Sequence, residues 1–135
     1  MGAWGSPLRI VDVTAPNAPR ERSVLDLPGW RAPIAPPALA GTNVLLLVPE
    51  SLHVVDATNP DGPDPSATID LATWRINGLV VAGSQVWVAD LAYGVRVVDI
   101  TDPARPRLVG GLPLSGLQSV TADPPAIAAG RLYVA

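Results

Sequence analysis

Asp12, Asp56 and Asp99 stand 44 and 43 residues apart, and each precedes a threonine by two positions: Thr14, Thr58 and Thr101. Carboxylates recurring at one repeat position could form a ring for metal binding or acid–base work. The fixed threonine favours a different role, because residues two apart on a strand share a face, and the carboxylate can accept bonds from the hydroxyl and from turn amides. These six residues are expected to build the repeat. The acidic run Asn59-Pro60-Asp61-Gly62-Pro63-Asp64 invites a calcium loop. With Gly62 at the loop glycine of an EF-hand, the first and last ligand positions fall on Ala57 and Thr68, neither a carboxylate, so no metal site is expected. His53 is the only imidazole and takes the place of Arg9 and Arg96 in the other copies. Ser51 shares its face, yet nothing supplies a third partner or an oxyanion hole. Gly110-Gly111 leads into Leu112-Pro113, without the helix and lysine of a phosphate loop. No catalytic residue and no cofactor are expected.

The best candidates for ligand contact are Trp30-Arg31 and Trp74-Arg75, 44 residues apart, where the third copy has Leu117-Gln118. An indole offers a flat apolar face and a guanidinium a fork of donors, a combination suited to carbohydrate or protein. The competing role, and the favoured one, is an arginine stacked on tryptophan that seals a seam between repeats.

The elements that must position these residues come from a phrase written three times. LRIVDVTAPNAPR (8–20), LHVVDATNPDGPD (52–64) and VRVVDITDPARPR (95–107) share apolar-x-[IV]-V-D-x-T-x-P-x-x-P. The β-branched residues predict a strand with Leu8, Ile10 and Asp12 on one face and Arg9, Val11 and Val13 on the other. Apolar residues on both faces imply a sheet covered on both sides. The prolines end each strand in a stiff turn. A weaker strand follows at 23–27, 67–71 and 108–112. After the Trp-Arg position comes a small-residue strand ending at Gly41, Gly83 and Gly130, each glycine opening a tight turn into a strand at 44–48, 86–89 or 132–135.

Four strands of 5 or 6 residues joined by connections of 4 to 6 give a unit of about 40 to 45 residues. The expected fold is all-β: a β-propeller-type array of four-stranded antiparallel blades, about three repeats of 43–47 residues, with a parallel β-solenoid as the alternative. The chain divides as a single array over 1–135. Residues 1–40 give a half blade plus the start of the next, 41–83 and 84–130 are repeat units, and 131–135 begin a further unit. Three blades fall below the four to eight that normally close a ring, so an incomplete propeller, with further blades or self-association, is expected.

The phrases LRIVDVTAPNAP and VRVVDITDPARP, each followed by a Gly-turn-aromatic strand such as AGSQVWVAD, resemble the LVIVD repeat of bacterial β-propeller-like proteins over nearly the whole chain. The resemblance implies a surface or secreted propeller, and it implies no reaction. The middle copy departs at Ala57 and the proline-rich 59–65, and the last connection, 115–129, is longer.

Composition narrows the function classes. With 48% hydrophobic and 16% charged residues, the 135-residue chain is too apolar to be disordered. Sixteen prolines forbid long helices. A net charge of -3 offers no footprint for nucleic acid. No apolar run approaches 18 residues, so no membrane insertion is expected, and without cysteine there is no disulfide framework or thiolate chemistry. The first residues lack the pattern of a signal peptide. The functional expectation is a non-enzymatic binding or scaffold module for protein or carbohydrate. The alternative is a segment of a larger propeller enzyme whose catalytic residues lie on other blades.

Overall fold

The computed structural model describes residues 7–26, 32–72, 75–115 and 125–134. The strands in order are β1 (Leu8–Asp12), β2 (Arg20–Leu25), β3 (Ala38–Ala40), β4 (Asn43–Val48), β5 (Ser51–Asp56), β6 (Asp64–Asp70), β7 (Ile76–Ala82), β8 (Gln85–Asp90), β9 (Gly94–Asp99), β10 (Arg107–Pro113), β11 (Ala126–Ala128) and β12 (Arg131–Tyr133). They form two four-stranded sheets, β3-β4-β5-β6 and β7-β8-β9-β10, and two two-stranded sheets, β1-β2 and β11-β12. Every pairing is antiparallel and joins neighbours in the chain. The repeated phrase supplies the third strand of each sheet, so β1-β2 corresponds to a third and fourth strand and β11-β12 to a first and second.

The sheets stack face to face. Leu45, Leu47, Leu52, Val54 and Leu71 pack against Leu79, Val86, Val88, Val98 and Ile100 across the seam between the two large sheets. On its other face, the β3–β6 sheet packs Val44, Leu46 and Val55 against Leu8 and Leu25. First strands β3, β7 and β11 lie side by side, the arrangement of blades around a propeller axis. The third strands β5 and β9 are therefore buried on both faces, whereas β1 leaves Val11 47% exposed.

Several local expectations change. Connections within the sheets are not uniform: two or three residues join the first three strands of each large sheet, and seven join the third to the fourth. Gly41 and Gly83 take the first turn position with φ near +60°, but Gly130 takes the second, behind Ala129 at φ 50°. The third copy thus pairs one residue out of step with its glycine, and an alanine adopts the left-handed conformation. Outer strands start earlier than expected, with β6 opening on Asp64-Pro65, a position open to proline because the strand is at an edge.

The outer strands share a further feature. Each pairing of a third with a fourth strand slips once, leaving Arg22, Ser66 and Val109 as unpaired bulge residues. These positions are spaced 44 and 43 residues apart, the same interval as the aspartates.

Candidate functional site

At one end of the sheets lie the proline turns, and their geometry repeats three times. Asp12 Oδ1 accepts the Thr14 amide at 2.9 Å and hydroxyl at 2.7 Å. Asp56 accepts from Thr58 at 2.8 and 2.6 Å, and Asp99 from Thr101 at the same two distances. Three residues on, a turn closes with Ala18 N–H to Ala15 O, Gly62 to Asn59 and Arg105 to Asp102, each with proline second in the turn. The middle copy, unusual in sequence at 57–65, adopts the same turn. The threonine bonds hold all three carboxyls below the ordinary value of 3.8, the amide leading at Asp12 and the hydroxyl at Asp56 and Asp99.

These shifts fix a sign. A carboxyl lowered in the folded state adds stability that is present above 3.8 and is lost as pH falls through the folded values. His53, buried at 7% exposure with Nδ1 2.7 Å from Thr68 Oγ1, is lowered from 6.5 by burial and follows the same sign in a higher window. Urea midpoints should therefore fall below pH 6.5 through His53 and again below 3.8 through the aspartates. Asp56→Asn should lie between the parent chain and Asp56→Ala at neutral pH, because the amide oxygen retains an acceptor for Thr58. Equal midpoints for all three proteins would refute the turn-lock role.

One proline turn does more. Arg22 donates Nε and Nη2 to the two oxygens of Asp61 at 2.6 Å each, and Nη1 lies 3.5 Å from Asp12 Oδ2. Ser23 Oγ donates to Pro60 O at 2.7 Å. The acidic run 59–64 thus clasps the β1-β2 sheet to the next. Arg22 holds the Asp61 carboxyl below its usual range. Among the described residues no group of three or more acidic or histidine side chains gathers as for a metal. At the next seam the bulge position is Ser66, and Asp61 corresponds to Ala104, so the clasp is not repeated.

The opposite end carries the connections between sheets. Arg75 O accepts the Leu91 amide at 2.8 Å, and Tyr93 O accepts the Leu114 amide at 2.9 Å. Asp90, fully buried, accepts the Ala92 and Tyr93 amides at 2.8 and 3.3 Å on Oδ1 and Arg96 Nε at 2.9 Å on Oδ2. Arg96 in turn lies over the Tyr93 ring, 4.8 Å from its centroid. Beside them is an open groove of about 380 Å³ lined by Tyr93, Arg96, Leu108, Val109, Gly110 and Gly111. An arginine pinned by a buried carboxylate and an aromatic face is held in place before any ligand arrives, which reduces the cost of ordering it.

Of the residues singled out in the sequence, Arg75 lies at this end, exposed. Trp30, Arg31 and Trp74 lie outside the described residues. Sequence reasoning missed Asp90, Tyr93 and Arg96 as a cluster. The signal was present: Asp90 interrupts the apolar run VWVA where the preceding unit has Val48, and Arg96 stands where that unit has His53.

No curated protein matches the chain. A family comparison does match, over residues 76–112, and these bounds take in β7, β8, β9 and all of β10 but its last residue. The segment that folds as one four-stranded, propeller-type sheet is an LVIVD repeat.

Proposed function

We propose that the chain is a non-enzymatic binding or scaffold module whose ligand face is the end of the sheets carrying Arg75, Tyr93 and Arg96, together with the Trp-Arg connections. The observation that carries this is the Asp90–Arg96–Tyr93 stack at the mouth of the groove. It presents a guanidinium and an aromatic ring in a fixed relation, the pairing that carbohydrate and protein ligands use. The repeated aspartates support the same view, since their Oδ1 atoms are occupied by threonine donors. A setting at the cell surface is part of the proposal through the resemblance to LVIVD-repeat proteins.

The test is a panel of oligosaccharides and of extended peptides presented to the immobilised chain. A true ligand should shift tryptophan fluorescence and protect it from iodide, and Arg96→Ala or Tyr93→Ala should weaken binding at least tenfold. Trp30→Ala and Trp74→Ala then separate two roles. Weaker binding with an unchanged melt places the indoles on the ligand face, while a lower melting midpoint places them in a seam. Binding that survives all four substitutions would put the ligand elsewhere.

A further inference from the structure

The three outer strands differ in how they treat their free edge. Strand β2 carries Arg20, Glu21 and Arg22, and β6 carries Asp64, Pro65 and Asp70. Charges and proline on an edge discourage pairing with another chain. Between Arg107 and Pro113, β10 reads Leu108-Val109-Gly110-Gly111-Leu112 without a charge, and all seven residues of the strand are exposed. Leu108, Val109 and Leu112 are 46%, 53% and 58% exposed, and among the described residues nothing pairs with the outer edge of β10. The bulge at Val109 is common to all three outer strands, so composition is what sets β10 apart.

This stretch also reads nearly the same in both directions. In an antiparallel pairing centred on Gly110, Leu108 faces Leu112 of the copy, Val109 faces Gly111, and Gly110 faces its own mate. Arg107 then meets Pro113, so no like charges oppose. Directly opposed residues project to the same face of a sheet. A side chain at Gly111 would run into Tyr93, since a Cβ there would lie 2.8 Å from Cε1, so Gly111 points at the groove of Tyr93 and Arg96. Val109 of the copy, set opposite Gly111, projects into that groove. Each strand therefore carries both a protruding side chain and the hollow that receives it, as a two-fold contact requires.

We propose that β10 pairs antiparallel with β10 of a second copy of this chain, about a two-fold axis at Gly110, so that the two β7–β10 sheets continue into one another. The pairing is neutral and uses the apolar edge that β2 and β6 have protected.

A cysteine at position 110 reads the register directly. The chain has no cysteine of its own. Gly110 has open space at Cβ and needs no positive φ, so Gly110→Cys should fold as the parent does. Opposed Cα atoms in an antiparallel pair lie about 4.5 to 5.5 Å apart, within the span of a disulfide. Mild oxidation should convert Gly110→Cys to a covalent dimer, while Leu39→Cys, 68% exposed on β3, stays monomeric. Light scattering of the parent should give about twice the 14.0 kDa chain mass, falling to one chain in Val109→Lys and Leu112→Lys with unchanged melting midpoints. A parent that is monomeric at every concentration would overturn the proposal, as would a dimer indifferent to both lysines. Equal cross-linking at 39 and 110 would do the same. A dimer broken by Val11→Lys instead would assign the contact to the β1-β2 face and also overturn it.

Discussion

Gly94→Ala should cost about 2 to 5 kcal/mol, a large part of the stability of a domain this size. Gly94 holds φ at 130°, and a Cβ there would lie 2.3 Å from Leu112 O and 2.4 Å from Leu114 N. Both are backbone atoms at the end of β10, so no rotamer change relieves the clash. The strand must move, breaking its pairing with Gly94 and the Leu114 N–H to Tyr93 O bond. Gly41→Ala is the control. That residue also has positive φ, at 61°, but nothing within 4 Å of its Cβ, so only the left-handed penalty of about 1 to 2 kcal/mol applies. Urea titrations of the three proteins decide it, with the midpoint expected to drop much further for Gly94→Ala. Equal drops would mean that the close approach of β10 costs nothing.

Asp90→Ala is expected to be the second severe change, at about 3 kcal/mol or more, because it strips a partner from Arg96 and acceptors from two turn amides in one step. The fully buried carboxylate is tolerable only because its oxygens are occupied. The preceding unit shows another solution at the same two positions, Val48 with His53 bonded to Thr68. A double-mutant cycle should therefore show strong coupling: Asp90→Val alone destabilises, and adding Arg96→Met recovers much of the loss, as apolar replacements of buried ion pairs often do. If Asp90→Val costs under about 1 kcal/mol, or if the two changes simply add, the pair contributes little to this end of the sheet.

What could be read in the sequence divides according to what the repeats share. The Asp-Thr-Pro register, the four strands per unit and the stacking of valine-lined faces were legible, because three copies of one phrase report the same environment three times. The cluster at Asp90 was not, since it depends on a single copy replacing Val48 and His53 with a charge pair, and a reading weighted toward recurrence passes over such changes. The Arg22–Asp61 clasp was hidden for another reason: its partners are 39 residues apart and meet only when one sheet is laid on the next. The slipped turn at Ala129-Gly130 shows the opposite hazard, in which an Ala-Gly pair that matched in sequence did not match in register. The Trp-Arg pairs at 30–31 and 74–75 recur as clearly as the aspartates, yet recurrence alone does not separate a packed indole from one that meets a ligand.

The bulge that recurs at Arg22, Ser66 and Val109 has a consequence for how such arrays diversify. A residue outside the ladder has no cross-strand partner to satisfy, so exchanging its side chain leaves the register of both strands intact. Copying a unit therefore copies a vacant address along with the fold. Here one copy fills it with a cation that fastens neighbouring sheets, the next leaves it small and polar, and the third makes it apolar. Grafting a chosen side chain at that address is a route to giving each blade its own surface chemistry while the scaffold stays constant.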